Sequence, residues 1–177
     1  MIRLERVTDI ERLGCFSRLC VEAFPVDERR PEAEYAGLLA DPRYCLEMSL
    51  DENRCVGFFS SWDLTGFTYI EHFAVEHTCR GQGVGSAALR AFVAEHAGTV
   101  ILEVEPPRVS VDAVRRIAFY ERLGFLYNPV HHVQPPYAQG LQPVVLHLMS
   151  FPDPVTDYAA VRHELYTHVY DLSEAPM

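Results

Sequence analysis

The residues best suited to chemistry lie in one stretch. The apolar run Tyr69-Ile70-Glu71-His72-Phe73-Ala74-Val75 leads to Arg80-Gly81-Gln82-Gly83-Val84-Gly85-Ser86 and then into a helical pattern. Glycines in such a turn let consecutive backbone amides point the same way, and a helix beginning near Val84 adds the positive end of its dipole. The combination is a cradle for an anion such as a phosphate. Plain strand-to-helix connectors also use glycines, so the spacing has to decide. No Lys-Ser or Lys-Thr pair follows the last glycine, which excludes a Walker loop. Ser86 stands where the dinucleotide fingerprint needs its third glycine or an alanine. What remains is Arg-x-x-Gly-x-Gly, carried by Arg80, Gly83 and Gly85.

Two carboxylates, Glu71 and Glu103, sit inside apolar strands, where burial would raise their pKa toward a value useful to a general base. For each, the alternative is a side chain facing solvent or an ion pair. His72 is a weaker third candidate, since strand parity groups it with Ile70 and Ala74.

These residues need elements to hold them. Residues 1–7 read as a first strand. Thr8-Asp9-Ile10-Glu11 reads as a capping box opening a helix whose buried stripe is Leu13, Phe16, Cys20 and Phe24. Pro25 ends that helix, and the charged link Asp27-Glu28-Arg29-Arg30 leads through Pro31 to a short helix, Glu32 to Leu39. Tyr44 to Leu50 alternates as a half-buried strand, and the more continuously apolar Cys55 to Trp62 is its hairpin partner nearer the sheet centre. After the glycine turn, Val84, Ala88, Phe92 and His96 trace a helix stopped by Gly98, with His96 at its surface end. Thr99 to Glu105 is a buried strand ended by Pro106-Pro107, and strand, helix, strand imply a right-handed parallel crossover. A second helix runs from about Val111 to Leu123, with Gly124 at its end and Phe125 opening a strand. Val144 to Met149 is a closing strand, and Asp153-Pro154 caps a C-terminal helix bearing Tyr158, Val161, Leu165 and Val169.

Composition narrows the function. The chain has 177 residues, 49% of them hydrophobic, consistent with a single domain spanning 1–177. A formal charge of -10 without a Lys/Arg cluster argues against nucleic acid and is compatible with a cationic substrate such as an amine. No apolar run approaches the length of a membrane span, so no membrane partner is expected. Five cysteines without a Cys-x-x-Cys pair argue against a disulfide framework or a zinc ribbon, and a reducing cytoplasm is the expected location.

Arg-x-x-Gly-x-Gly reached from an apolar strand resembles the coenzyme A motif of the GCN5-related N-acetyltransferase (GNAT) family. Tyr120-Glu121-Arg122-Leu123-Gly124-Phe125 is similar to that family's other recurrent motif, a helix tyrosine followed four and five residues later by Gly-Phe. It stands in the right order, 35 residues beyond Gly85. From Tyr69 to Phe125 the resemblance is close. It implies an α/β (α+β) fold with a central mixed, largely antiparallel sheet of about six to seven strands, splayed between strands 4 and 5. Helices flank that sheet, with one more at the C-terminus.

The resemblance also implies chemistry: acetyl-CoA as co-substrate, no metal, and direct acetyl transfer to a primary amine of a small molecule or a protein, with a homodimer left open. Phe73 and Val75 would offer main chain to the pantetheine arm. The amides of Gly81, Gln82, Gly83, Val84, Gly85 and Ser86 would hold the pyrophosphate, with Arg80 adding charge or standing solvated. Tyr120 would be the general acid. Glu71 is favoured as base because family members often carry an acidic residue on that strand, and Glu103 is the other candidate. The loop Gln134-Pro135-Pro136-Tyr137 would lie over the acceptor pocket, which the helix pair around Glu28, Arg29 and Arg30 borders. One departure is plain: where the family often has asparagine and alanine before the tyrosine, this chain has Ala113 and Arg116. A non-catalytic acyl-CoA-binding module of the same fold is the alternative, and a Rossmann oxidoreductase fails on glycine spacing.

Overall fold

A strand can pair along an edge only as far as its neighbour stays beside it, and in this sheet one parallel pair parts after three rungs. The computed structural model describes residues 1–9 and 13–172, and the capping box expected at Thr8 to Glu11 lies partly outside them. In chain order the elements are β1 (Ile2–Arg6), α1 (Leu13–Ala23), a 3-10 turn (Val26–Glu28), a second (Glu32–Glu34) leading into α2 (Tyr35–Leu38), β2 (Tyr44–Asp51), β3 (Arg54–Leu64) and β4 (Phe67–Val75). Then follow α3 (Val84–Glu95), β5 (Val100–Val104), α4 (Val111–Glu121), β6 (Leu126–Gln134), β7 (Val144–Phe151) and α5 (Tyr158–Glu164), which runs into a π turn (Leu165–Val169).

The strands form one seven-stranded mixed sheet in the order β1-β2-β3-β4-β5-β7-β6. Only β4 and β5 run parallel, joined by the α3 crossover. Alternation along the strands feeds two cores. On one face Phe16, Tyr35, Trp62, Tyr69 and Leu165 pack beneath α1, α2 and α5. On the other, Phe59, Ile70, Leu89, Phe92 and Ile117 pack beneath α3 and α4.

β4 and β5 pair only through Thr68–Val100, Tyr69–Ile101 and Ile70–Leu102. Beyond that point they separate, and β4 carries a bulge: Ile70 opposes Ser61 and His72 opposes Ser60, so Glu71 has no partner on β3. The extra residue turns Glu71 and His72 toward the same face. Parity with Ile70 therefore fails for His72, which packs on Phe24 instead.

Two other sequence expectations change, for β2 and for the cap of the last helix, and the proline-rich stretch, left unassigned from sequence, takes a definite form. β2 is buried on both faces, because α3 reaches across to β1. Glu47, at 7% exposure, is thus covered and meets His96 Nε2 at 2.9 Å. The proline-rich stretch after Phe125 is strand as far as Gln134, with Pro129 inside the register shift between Asn128 and His132, where no ladder hydrogen bond is required. The C-terminal helix is capped by Asp157, whose Oδ1 receives the Ala160 amide at 3.0 Å, rather than by Asp153.

Gly57 sets how closely β3 and β4 approach, since a Cβ there would lie 2.5 Å from the Ala74 carbonyl oxygen. Gly57→Ala is expected to destabilise the protein by about 1–3 kcal/mol, read as a lower urea midpoint at unchanged m-value.

Candidate active site

β4 delivers the chain through the 3-10 turn His77–Cys79 to the glycines. Gly81 and Gly83 have φ of +75° and +78°, a region that favours glycine, and Gly83 is the N-cap of α3. Among the described turn and cap hydrogen bonds, none is donated by the amides of Gly81 through Ser86. The first in this segment runs from Ala87 N to the Gly83 carbonyl at 3.0 Å. A Cβ at Gly85 would lie 3.4 Å from Val75 Cγ2, in ordinary contact, so the turn runs close against the end of β4. The result is an open row of N–H donors beside bare backbone.

A groove of about 600 Å³ runs from this row to the point where β4 and β5 part. Phe73, Val75, Arg80, Gly81, Gly83, Gly85 and Ser86 line it, as do Glu71, Glu103 and Tyr120. Gln82 and Val84 do not. The Gln82 side chain turns back, Nε2 donating to the Thr78 carbonyl at 2.8 Å. Arg80 Nε donates to the Val75 carbonyl at 3.2 Å, which places its guanidinium beside the groove.

At the parting point stands Glu71, with no side-chain exposure. Arg30 Nε donates to its Oε1 at 2.8 Å, Tyr137 OH to the same oxygen at 3.0 Å, and Trp62 Nε1 to Oε2 at 3.0 Å. The Arg30 guanidinium lies over the Trp62 and Tyr137 rings and also donates to the Val169 carbonyl. The expectation of a raised Glu71 pKa fails here. Burial pushes it up, but the Arg30 charge and the bonds from Trp62 and Tyr137 outweigh burial and hold it below the ordinary glutamate value. Glu71 is an ionised carboxylate whose charge is committed.

Glu103 occupies the matching position on β5, one residue beyond the last paired rung. Its oxygens receive Tyr69 OH at 2.7 Å and Tyr170 OH at 3.1 Å, and its Oε1 lies 2.5 Å from His132 Nε2. His132 is fully buried, with Nδ1 2.9 Å from Tyr158 OH. One proton therefore lies between Glu103 and His132, because two lone pairs would repel at that distance.

Tyr120, on the last turn of α4, is 7% exposed, and its hydroxyl has no hydrogen-bond partner among the described residues. Burial pushes its pKa up to about 12, with Arg116 opposing. Arg116 itself lines the groove and pairs with Glu105 at 3.5 Å, and Ala113, in the first turn of α4, is fully buried.

Glu71, Glu103, Tyr120 and the glycine turn thus meet along one groove, as the sequence suggested. Their partners Trp62, His132 and Tyr170 carried no sequence signal, for each arrives from a distant element. Arg30 and Tyr137 were noticed only as members of a charged link and a loop. Among the described residues no cluster of three His, Cys, Asp or Glu side chains could hold a metal ion, and no helix is long and apolar enough to cross a membrane.

A mixed sheet splayed beside a glycine-turn cradle at a helix N-terminus defines the acetyltransferase class of fold. The chain belongs to the acetyltransferase (GNAT) family, whose model matches residues 7–125. A GNAT-family protein from Bacteroides thetaiotaomicron is 31% identical over 97% of this chain and 99% of its own, with a TM-score of 0.90. Two more distant structures share the fold. The ribosomal-protein-S18-alanine N-acetyltransferase of Escherichia coli is 20% identical, with a TM-score of 0.62 over 89% of this chain and 97% of its own. Arabidopsis thaliana Naa50, in complex with a bisubstrate analogue, is 22% identical, with a TM-score of 0.58 over 84% of this chain and 97% of its own. No curated protein matches the sequence significantly.

Removing one partner of a buried ion pair strands the other charge. Arg30→Met is therefore expected to cost about 3–5 kcal/mol at neutral pH, measured by urea unfolding. Because Glu71 has a depressed pKa in the folded protein, its contribution is complete above the unfolded value near ~4.3 and fades as pH falls through the folded one. Glu71→Gln should flatten that acid-side loss.

Proposed function

We propose that this protein transfers the acetyl group of acetyl-CoA to a primary amine of a small molecule or a protein. The observation that carries this reading is the single groove joining the unbonded amides of Gly81 to Ser86 to the unpartnered hydroxyl of Tyr120. The residues present fit the coenzyme. Bare glycine backbone and the α3 dipole suit a pyrophosphate, Arg80 adds positive charge, and the free edge of β4 from Glu71 to Val75 offers main chain to a pantetheine amide. When bound, the coenzyme supplies an activated thioester.

Tyr120 then faces the sulfur. With its pKa near 12 it stays protonated at neutral pH, so it stabilises charge building on the leaving sulfur first as a hydrogen-bond donor. It gives up its proton only as it gains another. Arg30 holds Glu71, and with it the bulge and the free edge of β4, at the angle the groove requires.

A non-catalytic acyl-CoA-binding module would use the same cradle. The Tyr120 hydroxyl favours catalysis, because it has no hydrogen-bond partner among the described residues and its side chain lines the groove, which leaves it free to meet a bound group. Release of free thiol from acetyl-CoA across a panel of amines is the test: turnover supports transfer, and tight coenzyme binding without turnover supports the module. Tyr120→Phe is expected to lower kcat by about 100-fold while the Kd for acetyl-CoA stays nearly constant.

A further inference from the structure

Removing a proton from the acceptor requires a group at the splay whose charge and lone pairs are not already engaged. Glu71 is paired with Arg30, and Glu103 receives hydrogens from Tyr69, Tyr170 and the proton shared with His132. Both ring nitrogens of His72 are occupied, Nε2 donating to the Glu28 carbonyl at 2.8 Å and Nδ1 meeting Ser60 Oγ at 3.2 Å. Glu28 differs, for its carboxylate has no hydrogen-bond or ion-pair partner among the described residues. It borders a cavity of about 40 Å³ that adjoins the coenzyme groove, the two sharing Phe24, Glu71, Glu103 and Arg116. At roughly 10–15 Å³ per water-sized group, that cavity takes an ammonium group and the first carbon or two behind it.

The backbone carrying Glu28 is held by buried polar side chains from two strands. His72 of β4, 2% exposed, holds the Glu28 carbonyl, and Gln134 of β6, 3% exposed, donates Nε2 to the Asp27 carbonyl at 3.0 Å. Buried donors spent on a solvent-side turn need a reason, and fixing a carboxylate at the mouth of the splay is one. Within the adjoining groove, Tyr120 supplies a hydroxyl with no hydrogen-bond partner among the described residues.

We propose that Glu28 is the catalytic base, taking the proton of the acceptor ammonium in the small cavity, with His72 and Gln134 as positioning residues. This rests on the acetyl-transfer reading above. The ammonium N–H bond breaks and its proton goes to a Glu28 oxygen. The freed lone pair bonds to the acetyl carbon, the carbon–sulfur bond breaks, and the sulfur leaves with the Tyr120 proton while Tyr120 takes the second nitrogen proton. Glu28 releases its proton to solvent, so ammonium and thioester give amide, thiol and one proton.

The surroundings suit a base. Burial, then the Glu105 charge beyond β5, then Glu103 and Asp27 raise the Glu28 pKa above the ordinary glutamate value, with Arg116 of α4 opposing. From β4, Glu71 and His72 also face the cavity, Glu71 with its charge met by Arg30 and His72 held neutral by burial. Because Glu28 must be ionised to act, kcat/KM should fall as pH drops through this raised value.

The test is the pH profile of kcat/KM for acetyl transfer by wild type, Glu28→Gln and Glu105→Gln, alongside a ¹³C NMR titration of the Glu28 carboxyl without substrates. Glu28→Gln is expected to lose about 100-fold in kcat/KM together with the acid limb, with acetyl-CoA affinity kept. Glu105→Gln should move the limb and the NMR titration together to lower pH. A Glu28→Gln enzyme that keeps its rate and limb overturns the inference and leaves acetyl transfer standing. Wild type that turns over no amine overturns the reading beneath it, and the inference with it.

Discussion

The structure depends on the parting of β4 from β5. A parallel pair that stops after the Ile70–Leu102 rung leaves the β4 edge from Glu71 onward without a strand partner, and an unpaired edge inside a domain is costly unless something takes its place. The bulge at Glu71 re-aims β4, and the glycines then let the chain reverse into α3 with its N-terminus facing the gap. α4 brings Tyr120 to the same opening. Sheet, turn and helices thus leave one groove whose walls are backbone and whose inner end is ionisable.

That inner end carries an electrostatic cost. Two carboxylates meet where the strands separate, each largely removed from water, and neither could persist there alone. Arg30 crosses from the α1–α2 link to neutralise Glu71, and His132 crosses from β6 to share a proton with Glu103. The C-terminal segment completes both arrangements, the Val169 carbonyl binding Arg30 and the Tyr170 hydroxyl binding Glu103. Such a network adds little net stability compared with an apolar core, but it fixes the angle at which β4 and β5 separate.

Much of this was legible in the chain where a local rule forces a residue. Gly81 and Gly83 announce themselves because their positive φ favours glycine, and the Gly124-Phe125 pair marks the end of α4 just beyond Tyr120. Periodicity located the strands and helices to within a few residues. It could not reveal the bulge, because one extra residue on β4 changes register without changing composition, and so Glu71 and His72 were assigned to opposite faces. Nor could it pair Arg30 with Glu71 or His132 with Glu103: those contacts join elements whose approach is set by the whole sheet. The misplaced cap of α5 has a local origin, since Asp153-Pro154 and Asp157 both offer cap chemistry and only packing chooses between them.

Coenzyme A is proposed to lie along the splay, its pyrophosphate on the glycine turn. The most direct test follows backbone amide ¹H–¹⁵N shifts while acetyl-CoA is added to the wild-type protein. The largest changes are predicted at Gly81 to Ser86 and along Phe73 to Val75, with β1 and β2 nearly still. Saturable binding that leaves the amides of Gly81 to Ser86 unmoved would show that the pyrophosphate lies elsewhere.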